Sequence, residues 1–134
     1  MTPFALLLQL SGLSQREATS VLNTSPSSID KMARGVRSTP PGIIAEMRDL
    51  ISRQERTANE ALDVLSGLEA DIFELGYPVD DHEAQTLGWP CVGAWSGMAA
   101  RVVAGTHRTV KLVPRGSTPA TAAASDIREA REPI

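Results

Sequence analysis

Lys31, Arg34 and Arg37 bring three cations together on one short stretch of chain, and Ser25, Ser27 and Ser28 lie just before them. Lysine and arginine carry charge for phosphate oxygens, and both pair well with the acceptor edge of a guanine. Serine hydroxyls suit either kind of partner. These residue types fit a surface rich in anionic and acceptor groups, which is the chemistry of a nucleic-acid duplex. Catalytic chemistry has poorer candidates. His82 and Glu83 come after Asp80-Asp81 at a helix start, where acidic residues favour the dipole. His107 stands in a turn beside Arg108, and Cys91 falls on an apolar helix, where a buried inert thiol is usual. No histidine pair has metal-ligand spacing, and no glycine-rich phosphate loop follows a strand. Surface caps and core packing account for all of these residues. No catalytic residue, metal or cofactor is expected, and the chain is read as a non-enzyme.

The elements that must carry the cations are legible in the run LSQREATSVLNTSPSSIDKMARGVR, from Leu13 to Arg37. Ser14 is a good N-cap, and Ala18, Val21 and Leu22 recur at helical spacing. Asn23-Thr24 makes a tight turn. Ser25 caps a second helix and Pro26 takes its first position, where no amide partner is needed. Ile29 and Met32 form its buried side. Gly35 after Arg34 ends it, because glycine accepts the left-handed C-cap conformation. Two short helices joined this closely leave the second on the surface, with its N-terminal edge free to enter a major groove. The alternative is a compact three-helix packing unit, but caps, turn and basic residues all agree with the first reading.

This stretch resembles the Cro and phage-repressor family of helix-turn-helix proteins, over roughly residues 3–50. The resemblance rests on Ala18, on apolar Leu13, Leu22, Ile29 and Met32, and on the Arg34-Gly35 stop. It implies that Gln15 braces the phosphate backbone and the start of the recognition helix. It implies base-facing roles at Pro26, Ser27, Ser28 and Lys31, and phosphate contacts at Arg34, Arg37 and Ser38. Pro26 departs from the pattern, since that position often carries a side chain that hydrogen-bonds a base; proline offers only an apolar contact. With the capping Ser25, these residues form the candidate DNA-binding set.

Around the motif, residues 3–11 read as a first helix, with Phe4, Leu7, Leu8 and Leu10 packing on it and a turn at Gly12. Ser38-Thr39-Pro40-Pro41 is a rigid connector, with Thr39 or Pro40 as the cap of the next helix. From Pro41 to Ser66 the spacing of Ile43, Met47, Leu50, Ile51, Gln54, Ala58, Ala61, Leu62 and Leu65 is helical. The first half of that helix completes the bundle, and the second half reaches toward another unit, with Gly67 as the stop. Ala70–Leu75 reads as a short strand, with Ala70, Ile72 and Glu74 on one face and Asp71, Phe73 and Leu75 on the other. Gly76-Tyr77-Pro78 is a turn. A short helix then runs from Asp80-Asp81 to Leu87.

Pro90 begins another helix, with Val92, Trp95, Ala99, Val102 and Val103 as its apolar stripe, stopped at Gly105. Its small residues Gly93, Gly97 and Ala100 would let another helix or a symmetry mate approach closely. Trp89 and Trp95 are flanked by Pro, Val, Gly and Ala rather than by cations, which favours core or interface over base stacking. Thr109–Val113 is a strand that pairs with the first. From Arg115 large apolar groups are scarce; Thr118-Pro119 starts a helix running to Ala130 that is mobile or docked on a partner chain. The motif Leu87-Gly88-Trp89 before an Ala-rich helix resembles the anti-CRISPR-associated regulators of phages and mobile elements. That resemblance implies a C-terminal dimerisation unit, with Trp89, Val92, Trp95, Met98, Ala99 and Val102 at the interface, and repression of the operon that encodes the protein.

Composition agrees with a soluble protein: 42% hydrophobic and 22% charged residues are ordinary for a globular chain. Residues 1–56 carry seven Lys/Arg against five Asp/Glu, a net of +2, and residues 57–134 carry six against eleven, a net of −5. The basic groups cluster where the motif needs them, and the acidic half is expected to face away from DNA and to limit non-specific binding. The single Cys91 excludes an internal disulfide and a cysteine zinc cluster and suits a reducing cytoplasm. The start of the chain runs into the first helix with no basic leader. The apolar stretch from Gly88 to Gly105 holds Arg101 and four glycines and is short for a membrane span.

The expected fold is α+β, mainly α: an N-terminal helix-turn-helix domain with a long helix over residues 1–66, and a strand-helix-strand dimerisation domain with its tail over 67–134. The expected function is a cytoplasmic, homodimeric, sequence-specific repressor that binds a palindromic double-stranded operator and involves no membrane. A second reading is an antitoxin-like interaction protein that neutralises a protein partner through its acidic half and uses the DNA-binding motif for autoregulation.

Overall fold

The computed structural model of this chain describes residues 1–115 and the backbone of residues 127–129. The described residues are mainly helical, with a small sheet. The helices are α1 (Pro3–Ser11), α2 (Gln15–Val21), α3 (Pro26–Arg34), α4 (Pro41–Ser66), α5 (Asp81–Thr86) and α6 (Val92–Gly105); the strands are β1 (Ile72–Tyr77), β2 (Thr109–Pro114) and β3 (Ile127–Glu129). None of these helices is long and apolar enough to cross a membrane.

The N-terminal helices form where their caps put them. Thr2 caps α1: its hydroxyl oxygen accepts from the Ala5 amide, and its proton goes to the Ala33 carbonyl 2.9 Å away at the end of α3. One side chain thus starts α1 and anchors the end of α3. Ser14 and Glu17 form a reciprocal capping box at the start of α2. Gly35, at φ 78°, ends α3 in a Schellman motif, with Gly35 N–H donating to Met32 O and Val36 N–H to Lys31 O. Phe4, Leu8, Leu13, Ala18, Leu22, Ile29 and Met32 are all buried between these helices. Leu10, expected to pack, is exposed, because the C-terminal end of α1 turns that side of the helix outward.

The long helix α4 has the extent its periodicity indicated, and Met47, Ile51, Gln54, Ala58, Ala61 and Leu65 are its buried stripe. Pro40 takes the N-cap position without a side-chain hydrogen bond. At the other end Arg108 supplies the missing partners, donating from Nη1 to Leu65 O and from Nη2 to Leu68 O, while its guanidinium lies over Phe73.

The sheet has the order β2-β1-β3. β1 and β2 run parallel from Ile72↔Thr109 to Tyr77↔Pro114, with α5 and α6 in the crossover, and β3 runs antiparallel to the other edge of β1. The first strand therefore lies two residues later than expected. The pairing with β2 extends through Gly76 and Tyr77, which had read as a turn. Phe73 and Leu75 form its buried face, and Ile72 is turned to solvent. The helix expected from Thr118 to Ala130 falls mostly outside the described residues, as does any mobility of that tail. Where the two overlap, at Ile127–Glu129, the chain is a strand, because the free edge of β1 offers a ladder of backbone partners.

The division at residue 66 does not separate two cores. One apolar cluster runs from Phe4 and Leu8 through Met47 and Ala58 to Trp95 and Val102. α6 packs along both α4 and α1. It begins at Val92 with Cys91 as N-cap, so Pro90 precedes the helix instead of opening it. Two distant carboxylates make that start: Asp81 accepts from Val92 N–H at 2.9 Å and Glu17 from Gly93 N–H at 2.7 Å. Gly93 and Gly97 do permit a close approach, but the neighbour is the Ser11-Gly12 turn of the same chain. A Cβ on Gly97 would collide with Ser11 O and with the Gln54 amide. Gln54, fully buried, ties the junction by donating to Ser11 O at 2.7 Å and to Ala94 O at 2.9 Å.

The interface expected on α6 is consequently occupied within the protomer. Trp89, Trp95, Met98, Ala99 and Val102 are buried in the core and Val92 is half-buried, whereas Val103, assigned to the same stripe, is 47% exposed. The physical reason is the pair of glycines, which turns the 93/97 side of α6 against α1 and rotates Val103 outward. Trp89 is packed under Arg53, whose guanidinium lies 4.3 Å from the ring centroid and also donates to Gly88 O.

Candidate nucleic-acid interface

α3 presents its cations because its other side is fully used. Ile29 and Met32 are buried, and the opposite positions Ser27, Lys31 and Arg34, spaced at i, i+4 and i+7, are exposed. Ser25 and Pro26 are exposed at the N-terminal edge of α3, and Ser28 is half-buried on its flank. Gln15, at the first position of α2, and Arg37 and Ser38, just past α3, are also exposed. The fold thus brings the whole candidate set to solvent on the α2–α3 pair and the segment directly after it.

The side chains differ in how far they are already engaged. Lys31 has no ion-pair partner among the described residues, and the Gln15 amide has no hydrogen-bond partner among them. Arg34 pairs with Asp30 one turn earlier, Nη2 to Oδ2 at 2.8 Å and Nε to Oδ2 at 3.0 Å. Arg37 folds back over α3 and donates from Nη1 to Ser28 Oγ at 2.7 Å. Ser25 accepts the Ser28 amide at 3.1 Å, the N-cap bond, and donates its own hydroxyl to Ser28 Oγ at 3.0 Å. Reading the sequence missed Asp30. Its spacing of four from Arg34 was the available signal, since such pairs meet on a helix surface. Reading the sequence also missed the return of Arg37 to Ser28, which no local spacing encodes.

Of the candidates for other chemistry, Asp81 and Cys91 line one cleft beside α2. That cleft, of about 670 Å³, is lined by Arg16, Glu17, Ser20, Asp81, Gln85 and Cys91, among others. Burial opposes the charge on Glu17. Hydrogen bonds from the Ser14 and Gly93 amides, the Cys91 thiol and the Ser14 hydroxyl outweigh it and hold the carboxyl below its usual range. Burial pushes the Cys91 thiol up to about 11, and the Glu17 and Asp81 carboxylates add to that against the Ala94 amide. Both carboxylates are committed to capping α6, and the thiol stays protonated at neutral pH. Among the described residues no three histidine, cysteine or acidic side chains cluster as metal ligands do. His82 is exposed in α5 and His107 in the turn before β2. No family model matches the chain, and no curated protein matches it.

Proposed function

We propose that this protein is a sequence-specific DNA-binding repressor, with α2 and α3 acting as a helix-turn-helix and α3 as the helix that enters the major groove. The observation that carries the reading is the solvent-facing stripe Ser27–Lys31–Arg34 behind an open N-terminal edge, on a helix whose apolar side is entirely buried. Lys31, without an ion-pair partner among the described residues, is the donor for a guanine acceptor pair. Gln15, Arg34, Arg37 and Ser38 set the docking position through phosphates. The net of −5 over residues 57–134 keeps non-specific attraction to DNA low and leaves affinity to the few cations of the motif.

Two copies on an inverted repeat would place their recognition helices about one DNA turn, ~34 Å, apart. The pairing surface lies outside Trp95, Met98, Ala99 and Val102, since these are filled by the protomer's own core. Cytoplasmic autoregulation of the encoding operon completes the reading.

The test is a gel-shift series with the full chain on its own upstream DNA. Lys31→Ala should relax preference at one base pair per half-site and cost roughly 1–3 kcal/mol there. Binding to no upstream fragment, or a Lys31→Ala variant indistinguishable from wild type on all fragments, would overturn the proposal.

A further inference from the structure

We infer that Asp30 is the specificity-determining residue of α3: it holds Arg34 in an ion pair that keeps random DNA weakly bound, and it offers its second oxygen to the amino group of a base. This rests on the DNA-binding reading above and adds a residue to it. Asp30 falls three positions after Ser27 and four before Arg34, so it shares their face of the helix. Arg34 Nη2 and Nε both donate to Asp30 Oδ2, at 2.8 Å and 3.0 Å, with 60% of the Arg34 side chain and 46% of the Asp30 side chain exposed. A guanidinium only donates and a carboxylate only accepts, so the groups themselves fix the direction of these bonds. Asp30 Oδ1 has no partner among the described residues.

The pair is electrically neutral, so laying it against phosphates releases few counterions, and Lys31 is left as the unbalanced cation of the helix. The carboxylate is itself repelled by the phosphates of any duplex. A base edge that faces Oδ1 must donate. Cytosine N4 is the pairing that suits an aspartate, and adenine N6 is the other amino donor in the major groove. Guanine N7 and O6 and thymine O4 are acceptors and would meet the carboxylate with like polarity. Only a site with an amino group at this position offsets the repulsion, and that confines tight binding to such sites. Arg34 spends two of its five N–H groups on Asp30 and has the others for a phosphate. It can therefore fix the carboxylate against the DNA backbone while staying paired, which makes Arg34 the positioning residue and Asp30 the one that reads. An exposed i, i+4 pair adds little to helix stability, so its loss is felt in binding and not in folding.

The experiment measures binding of the full chain, across salt, to a mixed-sequence duplex and to sites selected from randomised duplexes. The proteins are wild type, Asp30→Ala, Asp30→Glu and Arg34→Ala. On the mixed-sequence duplex Asp30→Ala should bind on the order of threefold to tenfold more tightly, with a salt slope steeper by about one per subunit, because Arg34 is released to phosphate. Asp30→Glu keeps the charge and the spacing to Arg34 and should stay as weak there as wild type. At the selected sites wild type should prefer a base with an amino group at one position per half-site. Asp30→Ala should lose that preference, by on the order of tenfold. Arg34→Ala should blunt it at the same position, without the gain on the mixed-sequence duplex. Both side chains are largely in solvent, so thermal melts of the variants should stay near wild type. An Asp30→Ala variant with wild-type affinity and salt slope on the mixed-sequence duplex would overturn the restraint on random DNA. A selected-site profile unchanged by Asp30→Ala would overturn the base-reading role. Either result with an enriched site leaves DNA binding standing; selection that enriches no sequence removes DNA binding and this inference together.

Discussion

Cys91 shows how a single residue acquires its character from its neighbours. As a sequence feature it is a lone thiol on an apolar helix. In the fold it is the N-cap of α6, beside Glu17 and Asp81, and burial together with those carboxylates raises its pKa to about 11. The thiolate is the reactive form, so at neutral pH this cysteine is inert. Native protein should react with a thiol reagent far more slowly than the unfolded chain does, and the rate should climb only when denaturant exposes the site. Labelling of native protein at the unfolded rate, followed by absorbance, would contradict the buried, protonated state. The cations of α3 and the segment after it differ in the same way: Arg34 is partly neutralised by Asp30 and Arg37 is held by Ser28, whereas Lys31 has no ion-pair partner among the described residues. Three positive charges in the sequence are three different chemical groups on the surface.

At the scale of elements, the two features to test are the contact between α6 and the α1–α2 turn and the carboxylate that caps two helices. Gly97→Ala puts a methyl group where Ser11 O and the Gln54 amide already are, with backbone on one side. It should lower stability by about 3 kcal/mol, at the upper end for overpacking, as measured by denaturant unfolding. Ala100→Ser, on the exposed side of α6, should be near neutral. Glu17 closes the capping box of α2 and holds Gly93 N–H at the start of α6. Its folded pKa is depressed, so its contribution is fully present above the ordinary carboxylate range. That contribution is lost as pH falls through the lower folded value. Glu17→Gln should therefore be less stable than wild type at pH 7, and the gap should close as the pH is lowered. A gap independent of pH would show that the charge of Glu17 is not what joins the helices.

For the whole molecule, the consequence is cooperativity. The N-terminal helices leave Ser11 O, Gln54 and the α4 stripe to be covered by α6, and Arg108 completes the end of α4. A chain ending at Ser66 loses all of these partners at once. It should lack a cooperative thermal transition and bind DNA poorly for that reason, whatever its oligomeric state. A sharp transition for residues 1–66 by circular dichroism would mean that the halves have independent cores. The full chain should melt in a single step.

The sequence by itself determined most of what is local. Ser14, Ser25 and Pro26 mark helix starts, Gly12 and Gly35 mark stops, and Ile29, Met32, Met47, Ala58 and Leu65 mark buried faces. Each works because capping, φ preference and helical period act within a few residues. The same locality made the cations Lys31, Arg34 and Arg37 legible as a cluster, whereas the single exposed stripe of Ser27, Lys31 and Arg34 is visible only in the structure. Tertiary structure decided what depends on distant partners. Gln54 could be read as core-facing from its period, but not as the clamp between Ser11 and Ala94. Glu17 could be read as a cap for α2, but not for α6, which lies 76 positions along the chain. The apolar face of α6 was visible as apolar, yet an apolar face does not say whether its partner is a second copy or the same chain. Gly93 and Gly97 against the Ser11-Gly12 turn answered that, because only backbone meeting backbone in three dimensions fixes which side of a helix is covered.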